Sequence, residues 1–160
     1  MFDKILISRC FLGDNVRYNE VVLTLNHPLI MLWQKQNRFI TICPEVSGGL
    51  SIPREPAEIQ QSNNEIITTS GVNVSEQFNV GAQQALKLCK LHNIRFALLK
   101  ESSPSCGSTF IYDGSFTNKK ILGQGVTSQL LIQHNIKIFS ENSVETLETL
   151  LDRAENEDSN

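Results

Sequence analysis

Phe96-Ala97-Leu98-Leu99 leads into Ser103-Pro104-Ser105-Cys106-Gly107, and the reading of this stretch decides the fold. The apolar run reads as a buried strand, and a small-residue loop carrying one thiol follows it. Pro104 sets its own φ and pushes Ser103 toward extended backbone. Gly107 admits backbone angles that other residues resist. The serines on either side of Pro104 can hydrogen-bond the local chain. A thiol in so constrained a loop is aimed at something, and the rest of the chain must supply whatever shares its target.

Outward from this stretch, short apolar runs and polar loops recur in alternation with helical patterns. Lys4–Ser8 reads as a first strand, followed by the polar loop from Arg9 to Tyr18. Asn26 suits a helix N-cap, with Pro28 in the first turn. Phe39–Ile42 reads as a second strand, ending at Cys43-Pro44-Glu45. Ser47-Gly48-Gly49-Leu50 and Pro53-Arg54-Glu55-Pro56 are loop chemistry. Ala57–Gln60 and Glu65–Thr68 pair as a small hairpin. A helix over residues 75–92 puts Phe78, Ala82, Ala85, Leu86 and Cys89 on one face, with Val74 stapling its entry. After the central strand, Thr109–Tyr112 adds a short strand, and Asp113-Gly114 turns. Gly123-Gln124-Gly125, a short motif that could cradle an anion, precedes a helix over 126–134, and Ile136–Phe139 is a fourth core strand. Asn142 and Glu145 read as a capping box for the last helix.

This order implies a single-domain α/β fold. We expect a three-layer sandwich: a Rossmann-like parallel sheet, flanking helices and a small β-hairpin insertion. Residues 1–153 form the domain, and the acidic stretch 154–160 is expected to fray as a flexible tail.

Composition narrows the function. Fourteen Lys and Arg against seventeen Asp and Glu leave a net charge of −3, which argues against a dedicated nucleic-acid binder with a basic face. No apolar run approaches a membrane span or a signal h-region, so a cytoplasmic protein without membrane contact is expected. Cysteines stand at 10, 43, 89 and 106, with no C-x-x-C pair. In the cytoplasm a disulfide framework is not expected, and the spacing does not suit a structural zinc site. Cys10, Cys43 and Cys106 each follow a predicted strand. Strand C-termini of a parallel sheet share one edge, where ligands bind. These thiols therefore converge, either as buried small apolar residues or as ligands of a shared metal or cluster. Cys89 lies on an apolar helix face and reads as core.

Several motifs stand in one order along the chain: Cys10-Phe11-Leu12-Gly13 with Arg17-Tyr18, Cys43-Pro44-Glu45-Val46, Pro53-Arg54-Glu55-Pro56-Ala57-Glu58, Ser103-Pro104-Ser105-Cys106-Gly107, Ile111-Tyr112-Asp113-Gly114 and Gly123-Gln124-Gly125-Val126-Thr127. They resemble the DUF523 family, whose characterised members are thiouracil desulfidases. The resemblance implies a 4Fe-4S cluster (an iron–sulfur cofactor) held by Cys10, Cys43 and Cys106, with one iron open to the sulfur of a thiolated base. It implies a catalytic role for Glu45 and a supporting one for Ser103. One departure is Val16, where many members carry a further cysteine. The substrate implied is a small thiolated base or nucleoside, such as 2-thiouracil, with sulfide as product. A tRNA-derived substrate stays open, as does the oligomeric state. Arg17, Arg54 and Lys100 read either as substrate-binding cations or as solvated surface.

Two other functions compete. A non-enzymatic iron–sulfur carrier or redox sensor would use the same thiols. A Cys-dependent phosphatase would use Cys10 and Arg17 as a phosphate loop, but six residues separate them. That is one more than such loops hold, and it leaves Cys43 and Cys106 without a role.

Overall fold

The structure, a computed structural model, describes residues 1–21 and 24–160. Its centre is a sheet of β1 (Ile5–Ser8), β2 (Phe39–Ile42), β5 (Phe96–Leu98) and β8 (Lys137–Phe139), in the order β2-β1-β5-β8. All neighbours run parallel, with Ile7 opposite Thr41 on one side and Leu98 on the other. The pleat sends alternate side chains to opposite faces. Ile5, Ile7, Phe96 and Leu98 pack with Ile30 and Trp33 of α1 (Pro28–Lys35) and with Val144, Leu147 and Leu151 of α5 (Val144–Asp158). Leu6, Ala97 and Leu99 face Ala85, Leu86 and Cys89 of α3 (Ser75–Leu91) and Leu131 of α4 (Val126–Gln133). This is the expected three-layer α/β architecture.

Two hairpins sit beyond the sheet. β3 (Ala57–Ile59) pairs with β4 (Ile66–Thr68), the expected small hairpin. β6 (Phe110–Tyr112) pairs with β7 (Lys120–Leu122). The second partner escaped the sequence reading because Lys120-Ile121-Leu122 is short and largely exposed.

The helix ends differ from expectation for a shared reason. His27, not Asn26, caps α1: its Nδ1 accepts from the Leu29 amide at 3.1 Å. Its Nε2 lies 2.9 Å from Glu145 Oε1. Glu145 therefore reaches across to α1 and closes no capping box with Asn142, and Ser143 is the N-cap of α5. The stretch expected to fray from residue 154 is helical through Asp158. Arg38, 5% exposed, donates to Glu155 Oε1 at 2.8 Å, and Arg95 donates to Asp158 at 2.7 Å. Long-range partners of this kind leave no local trace in sequence.

Two devices place the loops that carry Cys43 and Cys106. The first is a pair of close approaches. Cys43 leads into a one-turn helix, α2 (Pro44–Ser47), which lies on α3. A Cβ on Gly81 would sit 1.9 Å from the Pro44 carbonyl oxygen, and one on Gly48 would sit 1.8 Å from that of Gln77. Only glycines let the two helices meet.

The second device is Glu101. Its Oε1 accepts the backbone amides of Ser102, Ser108, Thr109 and Phe110 at 2.9–3.2 Å. Its Oε2 accepts the Ser108 hydroxyl at 2.7 Å. Burial alone would raise this carboxyl, but the Ser108 hydroxyl and the backbone amides outweigh it and hold the group below its ordinary value. The loop from Ser102 to Phe110, with Cys106 at its centre, is thus wrapped around one anion.

The far side of that loop is gripped by α4. Val126 N donates to Pro104 O at 3.0 Å and Thr127 N to Ser105 O at 2.9 Å. Ser105 is fully buried with its hydroxyl 2.8 Å from that of Thr127, and Ser128 Oγ donates to Cys106 O at 2.7 Å. A Cβ on Gly125 would meet Ser105 at 2.4 Å. The amides opening α4 are therefore given to the loop, and the anion role considered for Gly123-Gln124-Gly125 does not arise. Gly107 is likewise required for space, because a Cβ there would lie 2.5 Å from Phe110 O.

Two outcomes follow from these devices. Glu101→Gln should lower unfolding stability by about 1–3 kcal/mol at neutral pH, because a charge-assisted acceptor is lost. The native carboxyl is depressed, so its contribution is full above the unfolded carboxylate pKa and disappears as pH falls through the native one. The gap between wild type and Glu101→Gln in denaturant unfolding should therefore close on acidification. Gly81→Ala should push α2 off α3 and lower the unfolding temperature, whereas Ala82→Gly, one residue along the same helix, should cost only the ordinary helix penalty of roughly 1 kcal/mol plus a lost methyl.

Candidate active site

β1 and β5 flank the point where the crossovers change face, since α1 follows β1 on one side and α4 follows β5 on the other. Open α/β sheets bind ligands at such a point, beyond the strand C-termini. A cavity of about 400 Å³ lies there, and Cys10, Cys43, Cys106, Glu45 and Ser103 all line it. Cys10 stands in a 3-10 turn (Arg9–Phe11) directly after β1, Cys43 follows β2, and Cys106 sits in the loop after β5. Residues separated by nearly a hundred positions share one wall because the three strands end together.

All the cysteines are free thiols. Burial pushes the Cys10 thiol up to about 11, with Cys43 adding to the rise and Arg17 and Lys100 opposing it. Burial raises Cys43 as well, against hydrogen bonds from the Val46 and Glu45 backbone and the charge of Arg54. Cys106 is raised furthest, by burial first and then by Glu45, Cys43 and Cys10. The three sulfurs and Glu45 thus share one cavity wall, and the other three groups all bear on Cys106. Thiolates gathered there need a compensating positive centre.

No set of three or more His, Cys, Asp or Glu side chains among the described residues is drawn close enough for a single metal ion. Three sulfur donors, Cys10 and Cys106 buried and Cys43 partly so, around a roomy cavity instead suit an iron–sulfur cluster, which is larger than an ion and favours thiolate. The residues fit a group with three protein ligands. Cys89, by contrast, lines a groove with Asp3, Asn93 and Arg95 at the opposite end of the sheet.

Glu45 is carried by α2 with its side chain 20% exposed. Arg54 approaches its Oε1 at 3.4 Å from Nε. Burial raises the carboxyl, and the Arg54 charge and hydrogen bond oppose the rise. Arg54 is itself fixed, 8% exposed, with Nη1 donating to Ser51 O and Nη2 to Val16 O, both at 3.1 Å. It is a buried clamp, not a surface cation. Val16 O also faces the Cys43 sulfur at 3.8 Å, so the residue that stands where many members carry cysteine is built into the same wall. Lys100 pairs with Glu141 at 3.0 Å.

Ser103 Oγ accepts the amides of Ser105 at 3.0 Å and Cys106 at 3.2 Å. With both acceptor positions filled, its hydroxyl is left as a donor. The phosphate-loop alternative loses its geometry here. Leu12 N and Gly13 N turn back to Arg9 O and Cys10 O, so they do not ring the Cys10 sulfur.

Other wall residues carried no assigned role in the sequence reading: Glu58, Tyr112, Phe116 and Lys120. Glu58 closes the motif that begins at Pro53, and Tyr112 lies in the one that begins at Ile111. Phe116 had no local signal, because its place follows from the unrecognised pairing of β7.

No helix among the described residues is long and apolar enough to cross a membrane. Comparison with known proteins agrees with the geometry. An uncharacterized protein of Bacillus subtilis (strain 168), YbbK, is 41% identical over 148 residues, covering 88% of this chain and 97% of its own. The solved structure of TudS, described as a 4Fe-4S-dependent thiouracil desulfidase, is 43% identical with a TM-score of 0.91 over 94% of this chain and 98% of that one. The family described as 2-thiouracil desulfurase matches residues 5–143. That span takes in every strand and all the cavity-lining residues named above, and the chain belongs to this 2-thiouracil desulfurase family.

Proposed function

We propose that this protein is a 4Fe-4S-dependent desulfidase that removes sulfur from a thiolated nucleobase such as 2-thiouracil. The observation that carries the reading is the convergence of Cys10, Cys43 and Cys106 on the cavity that Glu45 and Ser103 also line. The net reaction is a hydrolysis: thiocarbonyl and water give carbonyl and hydrogen sulfide, with no change of redox state.

Cys10, Cys43 and Cys106 hold the cluster. The chemistry it supplies is Lewis acidity toward sulfur at an iron that lacks a protein ligand. Glu45 takes a proton from the attacking water at Oε2, since Oε1 is turned to Arg54. Arg54 keeps the carboxylate in place and opposes the effect of burial on it. Ser103 donates its hydroxyl hydrogen to the substrate, and its oxygen is held still by the two amides it accepts.

Anaerobically reconstituted protein should release sulfide from 2-thiouracil. Cys106→Ala should abolish release, and Glu45→Gln should reduce it by about 10²–10⁴-fold, the range for loss of a general base. Equal turnover by wild type and Glu45→Gln would remove the carboxylate from the mechanism. Equal turnover by Cys106→Ala would remove the cluster.

A further inference from the structure

The loop joining β6 to β7 carries a strained aromatic residue. Phe116 has φ +58°, a left-handed conformation that bulky side chains rarely adopt. Its neighbours in the loop suit such angles better: Gly114 at +94° and Asn118 at +60°. The strain is held by a specific contact. Glu58, buried on β3, accepts Gly114 N at 3.0 Å and Phe116 N at 3.2 Å on one oxygen, Oε1. A carboxylate on one hairpin thus fixes the tip of the other.

The ring itself is not used by the core. Phe116 is half-buried and belongs to none of the three apolar clusters. It lines the cavity of the three thiols. Strain maintained at a site, with the side chain kept out of the core, calls for a role at that site. A flat apolar ring on the wall of a cavity that accepts a flat heterocycle can stack on it.

We infer that Phe116 is the stacking surface that makes this site selective for planar heteroaromatic thiocarbonyl compounds over acyclic ones, and that Glu58 is the positioning residue that presents it. The inference rests on the desulfidase reading above. Thiourea provides the natural contrast, because it keeps the N–C(=S)–N group of 2-thiouracil and removes the rest of the ring. Phe116 selects on the part that thiourea lacks.

The test uses cluster-loaded protein and two probes. Uracil, which has the ring but no sulfur, reports binding by equilibrium dialysis. Turnover of 2-thiouracil and thiourea reports selectivity. Phe116→Leu should weaken uracil binding about tenfold, within the range of base–aromatic stacking. The loss in 2-thiouracil turnover should fall on KM, and the preference for 2-thiouracil over thiourea should drop by a similar factor. Phe116→Trp should keep both. Glu58→Ala should reproduce the Phe116→Leu effect, and the double variant should add little, because one residue acts through the other. Phe116→Asn, which relieves the backbone, should lose affinity yet unfold no earlier than wild type. A purely structural phenylalanine would give the reverse.

Unchanged uracil binding in Phe116→Leu, or no uracil binding by the wild type, overturns the inference. Additive effects of Glu58→Ala and Phe116→Leu remove Glu58 from it. If wild type binds uracil but releases no sulfide from 2-thiouracil, the desulfidase reading falls while the stacking assignment is still decided by the dialysis.

Discussion

Strands β1, β2 and β5 lie side by side and parallel, and the site depends on that alignment. Parallel strands in register end at the same level, so the residues just past them must meet. Cys43 follows β2 at once, Cys10 lies in the turn after β1, and the loop after β5 brings Cys106 back to the same edge. The alignment is enforced by apolar burial on both faces, with Ile5, Leu6 and Ile7 wholly removed from solvent. Fully burying such side chains contributes about 1.5–3 kcal/mol each. A slip of one residue would turn each strand's two faces over, which the differing helix pairs on either side resist.

A sheet edge alone does not aim a sulfur atom, and each thiol has its own support. Cys10 follows β1 without a break and needs only a 3-10 turn. Cys43 is located by the glycine contacts that seat α2 on α3, and the same helix carries Glu45. Cys106 is located from two sides: Glu101 collects the amides on one flank of its loop, and the opening turn of α4 binds Pro104, Ser105 and Cys106 on the other. The helix N-terminus and the buried carboxylate both serve to satisfy backbone groups that a buried loop would otherwise leave unpaired. Pre-organisation of this kind holds Ser103 and Glu45 at the cavity wall in fixed positions.

The parts of the molecule that were legible in the sequence share a physical character. Apolar runs such as Phe96-Ala97-Leu98-Leu99 and the helical stripe of Phe78, Ala82, Ala85 and Leu86 are local signals, and topology made the convergence of the cysteines follow from them. What escaped was long-range pairing of polar groups. Arg38 with Glu155 turned a presumed tail into helix, and Glu145 left its expected box for His27. Arg54 reads in sequence as either a substrate-binding cation or solvated surface, and in the fold its side chain is a buried clamp on Glu45. Gly107 and Gly125 are required by close approach to backbone and not by an unusual φ, a distinction no single sequence displays. Phe116 was hidden because its hairpin partner was too short and too exposed to be recognised.

In the proposed enzyme three specific thiols, and no fourth, hold the cluster. The most direct measurement is iron and acid-labile sulfide per chain after anaerobic purification and reconstitution, with spectroscopy of the bound group. About four irons and four sulfides per chain are expected for a cubane. Cys89→Ala should retain them, and alanine at any one of positions 10, 43 or 106 should lose them. Zinc alone, no metal after reconstitution, or full iron retention without Cys10, Cys43 or Cys106 would contradict the account.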